Sequence, residues 1–279
     1  LEHQGPVSLL WQKKLEEQGY TRINQDDQGK DHMHVFDLAV IHDENIVVDR
    51  MGFSKQQRSR YLEIAKANGY QTEIQILYVP YATCLERAIK RTDHPTVKDE
   101  ATARKAVSFF FSKYEKVEDN EADTIIKLGQ NGTIPAIICD LDGTLFDVEH
   151  RRHFVRGEGK KDWRRFFLEM VNDPVKSHVL DILEKFSDDY RTVFCSGRPK
   201  EYEKITRESL DRYISYDDWI LLMREAGDHR SDAIVKEILL DFDILTQFKP
   251  FFILDDRDIV VKMWRDRGFE CLQVAPGDF

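Results

Sequence analysis

At 279 residues, 41% hydrophobic and 33% charged, the chain is long enough to bury two cores and has the composition of a soluble globular protein; no apolar run approaches the roughly 20 residues that span a bilayer, and no segment reads as a cleavable signal. A net charge of −10 argues against a protein that coats long nucleic acid, whose affinity would come from neutralising many phosphates, but leaves room for a small basic patch that holds a nucleic-acid end. Cys84, Cys139, Cys195 and Cys271 lie in apolar segments with no C-x-x-C pair, which points to a reduced intracellular protein and gives zinc no support.

In chain order, "SLLWQKKLEEQG" reads as a helix preceded only by "LEHQGPV". In "DHMHVFDLAVIH", His32, His34 and His42 fall at alternate positions of a strand or loop and read as solvated histidines, a transition-metal site being the alternative. Next, "NIVVDR" is a strand and "SKQQRSRYLEIAKANGY" an amphipathic helix with Ser54 as N-cap and Gly69 as its stop, after which "EIQILYV" is a strand again. The stretches "ATCLERAIKRT" and "EATARKAVSFFFSKYEKV" add two helices, with Phe109, Phe110 and Phe111 expected in the core. This alternation is that of a parallel α/β domain.

Polar residues gather in "GQNGTIP", a linker that divides the chain into domains 1–130 and 131–279, and the alternation then restarts. The strands "AIICD", "RTVFCS", "DWILLMR", "FFILDD" and "CLQVA" are separated by helices near 161–171, 175–187, 200–213, 231–240 and 258–267. In such sheets ligands bind at the carboxyl ends of strands, so Asp140, Ser196 and Asp255/Asp256 are expected to converge. Asp140 and Asp142 are two residues apart at a strand end and reach toward one point; like charges held together need a cation or a shared proton. Oxygen ligands without a soft partner suit a hard ion, so Asp140, Asp142, Asp255 and Asp256 are candidate ligands of Mg²⁺. In that setting Asp140 can attack phosphorus, Asp142 can protonate the leaving oxygen and later activate water, and Ser196 and Lys236 can hold phosphoryl oxygens.

The motif "DLDGT" with its following leucine, then "FCSGR", the lysine of "DAIVKE", and "ILDDRD" resemble, in order, the four motifs of haloacid-dehalogenase-type phosphotransferases. The longer stretches "DLDGTLFDVEHRRHF", "VFCSGRPKEY", "GDHRSDAIVKE" and "DDRDIVVKMWRDRGFECLQVAPGDF" resemble the phosphatase domain of phage-type polynucleotide kinase-phosphatases, which removes 3′-phosphates from RNA or DNA ends. That resemblance implies Asp140 as nucleophile, Asp142 as acid and base, Arg198 and Lys236 as phosphate contacts, and Asp255 and Asp256 as metal and network carboxylates. Thr144, Arg151, Gly197 and Asp232 are the substrate-side positions it implies. Asp232 and Lys236, at i and i+4, are expected to form an orienting salt bridge, with plain surface pairing as the alternative.

The first half is similar to the 5′-kinase of the same family, which implies Asp26 as general base, Asp49 as a site carboxylate and Arg91 on a lid. It lacks the kinase's G-x-x-x-x-G-K-[ST], since neither Gly29-Lys30 nor Gly159-Lys160 has a glycine five residues ahead. Either residues are missing or this half does not bind ATP in the family's way. The expected fold is therefore α/β in two parallel-sheet domains, an incomplete P-loop-kinase-like domain followed by a haloacid-dehalogenase-like Rossmannoid one. The expected partners are nucleic-acid 3′-phosphate ends, a ligase or other repair protein and, as an open option, a second copy of the chain; the expected location is the cytoplasm, with a phage as source. The alternatives are a small-metabolite phosphatase of the same superfamily, or a non-catalytic first half that recruits the phosphatase to its partner.

Overall fold

A computed structural model describes residues 14–90, 99–156 and 159–277, in two compact units divided after Leu128. No described helix is long and apolar enough to cross a membrane.

In the first unit, described residues of the expected opening helix are helical at 14–17, and β1 (Thr21–Asn24) and β2 (Ile46–Asp49) then pair in parallel with Asn24 opposite Asp49. Asn24 ends its strand by capping α1 (Gln25–Gln28), its Oδ1 accepting from the amides of Asp26 and Asp27 at 2.7 and 3.2 Å. The histidine segment departs from expectation. It is helix α2 (His32–Ile41), and His32 is buried with Nδ1 2.8 Å from the Gly29 carbonyl. Met33, Phe36 and Val40, at helical spacing, pack into a small core with Ile23 and Tyr61, which outweighs the alternation of the histidines.

Helix α3 (Lys55–Ala67) starts where its cap predicts, with Ser54 Oγ accepting from the Gln57 amide, and the chain leaves it through Gly69 at φ +80°. Strands β3 (Glu73–Leu77) and β4 (Thr124–Leu128) form a second parallel pair, with α4 (Tyr81–Lys90) and α5 (Glu100–Lys113) between them in sequence. Of the three phenylalanines expected in the core, Phe111 is buried but Phe109 is 48% exposed, because successive residues on a helix turn by about 100° and cannot share one face. Arg58 ties the unit together: its Nε and Nη2 donate to the buried Glu121 carboxylate at 2.7 and 2.8 Å, and Nη1 donates to the carbonyls of Gly52 and Glu115.

The second unit holds a five-stranded parallel sheet among its described residues, in spatial order β7-β6-β5-β8-β9. The strands are β5 (Ile134–Cys139), β6 (Arg191–Pro199), β7 (Trp219–Arg224), β8 (Phe248–Asp255) and β9 (Cys271–Gln273). Both faces are buried, which is why the central strands read as unbroken apolar runs. Ile137, Cys139 and Phe194 face Val179 and Leu183 of α8 (Ser177–Phe186) and Leu210 of α9 (Glu203–Tyr213). Ala136, Ile138, Val193 and Cys195 face the opposite layer, which includes Leu240, Ile244 and Val260, Val261 and Trp264 of α11 (Asp258–Asp266). Helix α10 (Asp232–Leu239) precedes a π-helical segment, Leu240–Ile244. Between β5 and β6 the chain also forms two short helices, α6 (Glu149–Arg152) and α7 (Trp163–Leu168). The strand order reverses direction between β5 and β8, and that switch point is where an open α/β sheet leaves a crevice for ligand.

Candidate active site

Asp140 follows β5 directly, and Asp255 ends β8 with Asp256 next to it, so the two strands flanking the switch point deliver three carboxylates. One oxygen from each lies within 4.8 Å of the others, and all three residues are buried. Lys236 reaches in from α10, its Nζ donating to Asp140 Oδ1 at 2.7 Å and Asp255 Oδ2 at 2.8 Å. Trp264 Nε1 donates to the same Asp255 oxygen at 3.1 Å, and the Arg257 amide donates to the other at 3.2 Å. Burial pushes the Asp140 carboxyl well above its usual range; Lys236 opposes this, and Asp255 and Asp256 add to it. Burial also raises Asp256, with Asp255 adding, to about 6. For Lys236 burial works against the charge, but Asp140 and Asp255 outweigh it and hold the ammonium protonated.

This donor set fits a hard divalent ion. Asp256 Oδ2 is buried without a hydrogen-bond partner among the described residues, and three carboxylates face a single ammonium. Gly143, at φ +89°, leaves the space for that oxygen, since a Cβ there would stand 2.1 Å from Asp256 Oδ2. Buried Thr144 donates through Oγ1 to Asp256 Oδ1 at 3.4 Å.

Asp142 is placed differently from the expectation. Its carboxylate is not in the three-carboxylate group; Arg151 Nη2 donates to Oδ1 at 2.6 Å and Arg198 Nε at 2.9 Å, with Arg198 Nη2 closing a second contact. Burial would raise this carboxyl, but Arg198 and Arg151 outweigh it and hold it well below the usual carboxylate range. Both guanidiniums are fully buried and also share Asp173, a residue the sequence did not single out. Asp173 accepts from Arg151 Nε at 2.7 Å and Nη2 at 2.6 Å, from Arg198 Nη2 at 3.2 Å, and lies 2.8 Å from His150 Nε2. Arg151 and Arg198, both buried, therefore brace Asp142 from two sides. Arg198 Nη1 is buried without a hydrogen-bond partner among the described residues.

The expected Asp232–Lys236 bridge is not formed. Lys236 turns into the crevice, while Asp232 pairs with Arg224 and Arg257. A buried ammonium needs buried carboxylates, and those stand at the strand ends; Asp232, in the first turn of α10, lies instead beside Gly197, where a Cβ would meet its Oδ1 at 2.5 Å. Ser196 is buried at the crevice end of β6, its Oγ accepting from the Arg198 amide at 3.2 Å. In the first unit, Asp26 is exposed on α1 and Asp49 ends β2, where it accepts from Asn24 Nδ2 at 2.6 Å and Arg22 Nε at 3.1 Å. Arg91 lies outside the described residues.

Residues 134–279, from β5 to the end of the chain, match the family of the polynucleotide kinase PNKP phosphatase domain, of haloacid-dehalogenase type. The chain belongs to this family. Its second unit is accordingly a haloacid-dehalogenase-type phosphatase domain, and the crevice described above is this domain's. The chain is also similar, at 26% identity over 225 residues, to a protein of Autographa californica nuclear polyhedrosis virus described as a bifunctional polynucleotide kinase/RNA ligase. That match covers 80% of this chain and 30% of the viral protein, so the chain spans under a third of that relative's length. Among solved structures, a chain of the Pnkp1/Rnl/Hen1 RNA repair complex aligns over 97% of this chain and 93% of its own at 22% identity, with a TM-score of 0.44. A haloacid dehalogenase-like hydrolase from Streptococcus pneumoniae aligns over 50% of this chain and 84% of its own at 18% identity, with a TM-score of 0.37.

Proposed function

We propose that the chain is an Mg²⁺-dependent phosphatase that removes the 3′-phosphate from RNA or DNA ends during nucleic-acid repair. The observation that carries the proposal is the meeting, at the switch point of a phosphatase-family sheet, of Asp140 with Asp255, Asp256 and Lys236 and, two residues on, of Asp142 with two guanidiniums. Asp140 attacks phosphorus, forming an aspartyl phosphate and releasing the 3′ oxygen, which takes a proton from Asp142; water, deprotonated by Asp142, then attacks phosphorus and frees inorganic phosphate and Asp140. The Arg151 and Arg198 contacts keep Asp142 ionised at rest, the form that activates water, so a substrate phosphate oxygen that engages Arg198 through its unpartnered Nη1 would loosen that hold and let Asp142 take up, from a singly protonated phosphate or from water, the proton it passes to the leaving oxygen. Lys236 keeps Asp140 turned toward the crevice, and Ser196 with the Gly197 backbone lines the side where phosphoryl oxygens are held. Mg²⁺ held by Asp140, Asp255 and Asp256 would offset the repulsion between carboxylate and phosphate.

Polynucleotide ends as substrate are taken from the family, and RNA in a kinase and ligase setting from the viral relative's description. By the same route we read the first unit as kinase-like, with Asp26 and Asp49 as its site carboxylates, and a ligase or repair protein as partner. The test is a 5′-hydroxyl, 3′-phosphate oligonucleotide incubated with Mg²⁺, with and without ATP, both ends being followed. Release of inorganic phosphate from the 3′ end is the expected outcome. Hydrolysis of sugar phosphates with the oligonucleotide left intact would replace this reading with a small-metabolite phosphatase.

A further inference from the structure

Around Trp163, residues 159–165 carry four exposed basic residues, Lys160, Lys161, Arg164 and Arg165, against the one acidic Asp162, in a chain whose net charge is −10. Trp163 itself, the first residue of α7, is 50% exposed and so leaves half of a large apolar side chain in water. The indole is not a stray surface residue. It stacks on Phe167, with ring centroids 6.1 Å apart and planes 25° apart, and Phe167 rests on Tyr202 at 4.9 Å. Tyr202 comes three residues after the end of β6, the strand that carries Ser196, Gly197 and Arg198. From its other side Trp163 packs edge-on to Phe166 at 5.8 Å, and the Phe166 ring lies 4.1 Å from the Arg151 guanidinium carbon, the same guanidinium that holds Asp142. A half-exposed aromatic stack is thus joined, through two side chains, Phe166 and Arg151, to the acid–base carboxylate.

We infer that Trp163 is a stacking platform for a nucleobase one to three nucleotides from the 3′ end of the bound strand. The inference rests on the proposed action on polynucleotide ends and adds a determinant that separates a strand from a small phosphate ester. Every base has a π-face, so stacking on an indole holds a strand without reading its sequence. Lys160 and Arg164, near it in sequence, are exposed and available to the strand's phosphates, and the Lys161 ammonium, 5.9 Å from the indole centroid, sits on a stem long enough to turn from the ring to a phosphate. A protein partner would also be drawn to an exposed tryptophan, but the local excess of positive charge and the link to Asp142 favour the strand.

The test is a cycle between enzyme and substrate. The full chain and its Trp163→Ala and Trp163→Phe variants are assayed on a single-stranded 3′-phosphate oligonucleotide with all bases present, and on three others with one abasic nucleotide first, second or third from the end. For the unmodified chain, one abasic position should lower kcat/KM by between about 5-fold and 150-fold, the range found for one base on one aromatic ring. Trp163→Ala should be indifferent to the same abasic position, and Trp163→Phe should keep part of the effect. Because the variant's own losses cancel in the comparison, a general defect of folding or chemistry does not imitate this result. Equal abasic effects in the unmodified chain and Trp163→Ala would overturn the platform while leaving the 3′-phosphatase in place. No hydrolysis of any 3′-phosphate oligonucleotide by the unmodified chain would overturn both.

Discussion

Replacing Asp173 by Asn tests how the site is held together. Asp142 and Asp173 balance Arg151 and Arg198 in a network whose arginines and Asp173 are fully shielded from water. The amide keeps the size of the side chain and one acceptor oxygen, but it removes one negative charge and leaves two buried guanidiniums facing one carboxylate. Breaking a buried pair from one side costs about 3 to 5 kcal/mol, and the Arg151 and Asp173 side chains are out of reach of the water that would screen them. In a unit of this size that corresponds to a fall in Tm of roughly 10 °C, or a matching shift of the urea midpoint at unchanged slope. Activity should fall as well, because both guanidiniums then lean on Asp142 alone. Denaturation followed by circular dichroism, with phosphate release measured well below the new Tm, checks both effects. A loss of under about 1 kcal/mol together with full turnover would refute the view that Asp173 anchors this network.

Asp140→Asn should abolish phosphate release, since the nucleophile is lost, while leaving the thermal transition within a few degrees of the unsubstituted chain, since shape is kept, Lys236 retains Asp255 and one of three crowded carboxylate charges is removed; near-normal turnover would exclude the covalent route. Gly143→Ala forces a Cβ against Asp256 Oδ2 and a side chain into a left-handed backbone, so it should cost about 1 to 2 kcal/mol and raise the Mg²⁺ concentration for half-maximal activity, read from a metal titration after EDTA treatment. Burial would raise the Glu121 carboxyl, but its hydrogen bonds from Arg58 win and lower it below the ordinary 4.5. Its stabilising contribution is therefore complete above that value and lost as pH falls through the lower folded one, so Glu121→Gln should weaken the first unit at pH 7 and flatten its acid sensitivity between pH 5 and 3, as hydrogen exchange on α3 would show. With no G-x-x-x-x-G-K-[ST] in the sequence, γ-labelled ATP should leave no label on 5′-hydroxyl ends; transfer of label would refute that reading of the first half.

What the sequence determined alone is local: the alternation of strands and helices, the Ser54 cap and Gly69 stop of α3, and the carboxylates at the ends of β5 and β8. These follow from period, capping and the rule that open sheets bind at strand ends, all properties of neighbouring residues. The helical period of Met33, Phe36 and Val40 was legible too, but lost to the more conspicuous alternation of His32 and His34. Tertiary structure alone decided which charges meet. Lys236 is one turn from Asp232, yet burial sends its ammonium to Asp140 and Asp255, because a charge removed from water needs equally buried partners wherever the fold supplies them. The same reason hides Asp173, a lone aspartate before a proline, 22 residues from Arg151 and 25 from Arg198, whose role exists only once the loop that carries it packs over both guanidiniums.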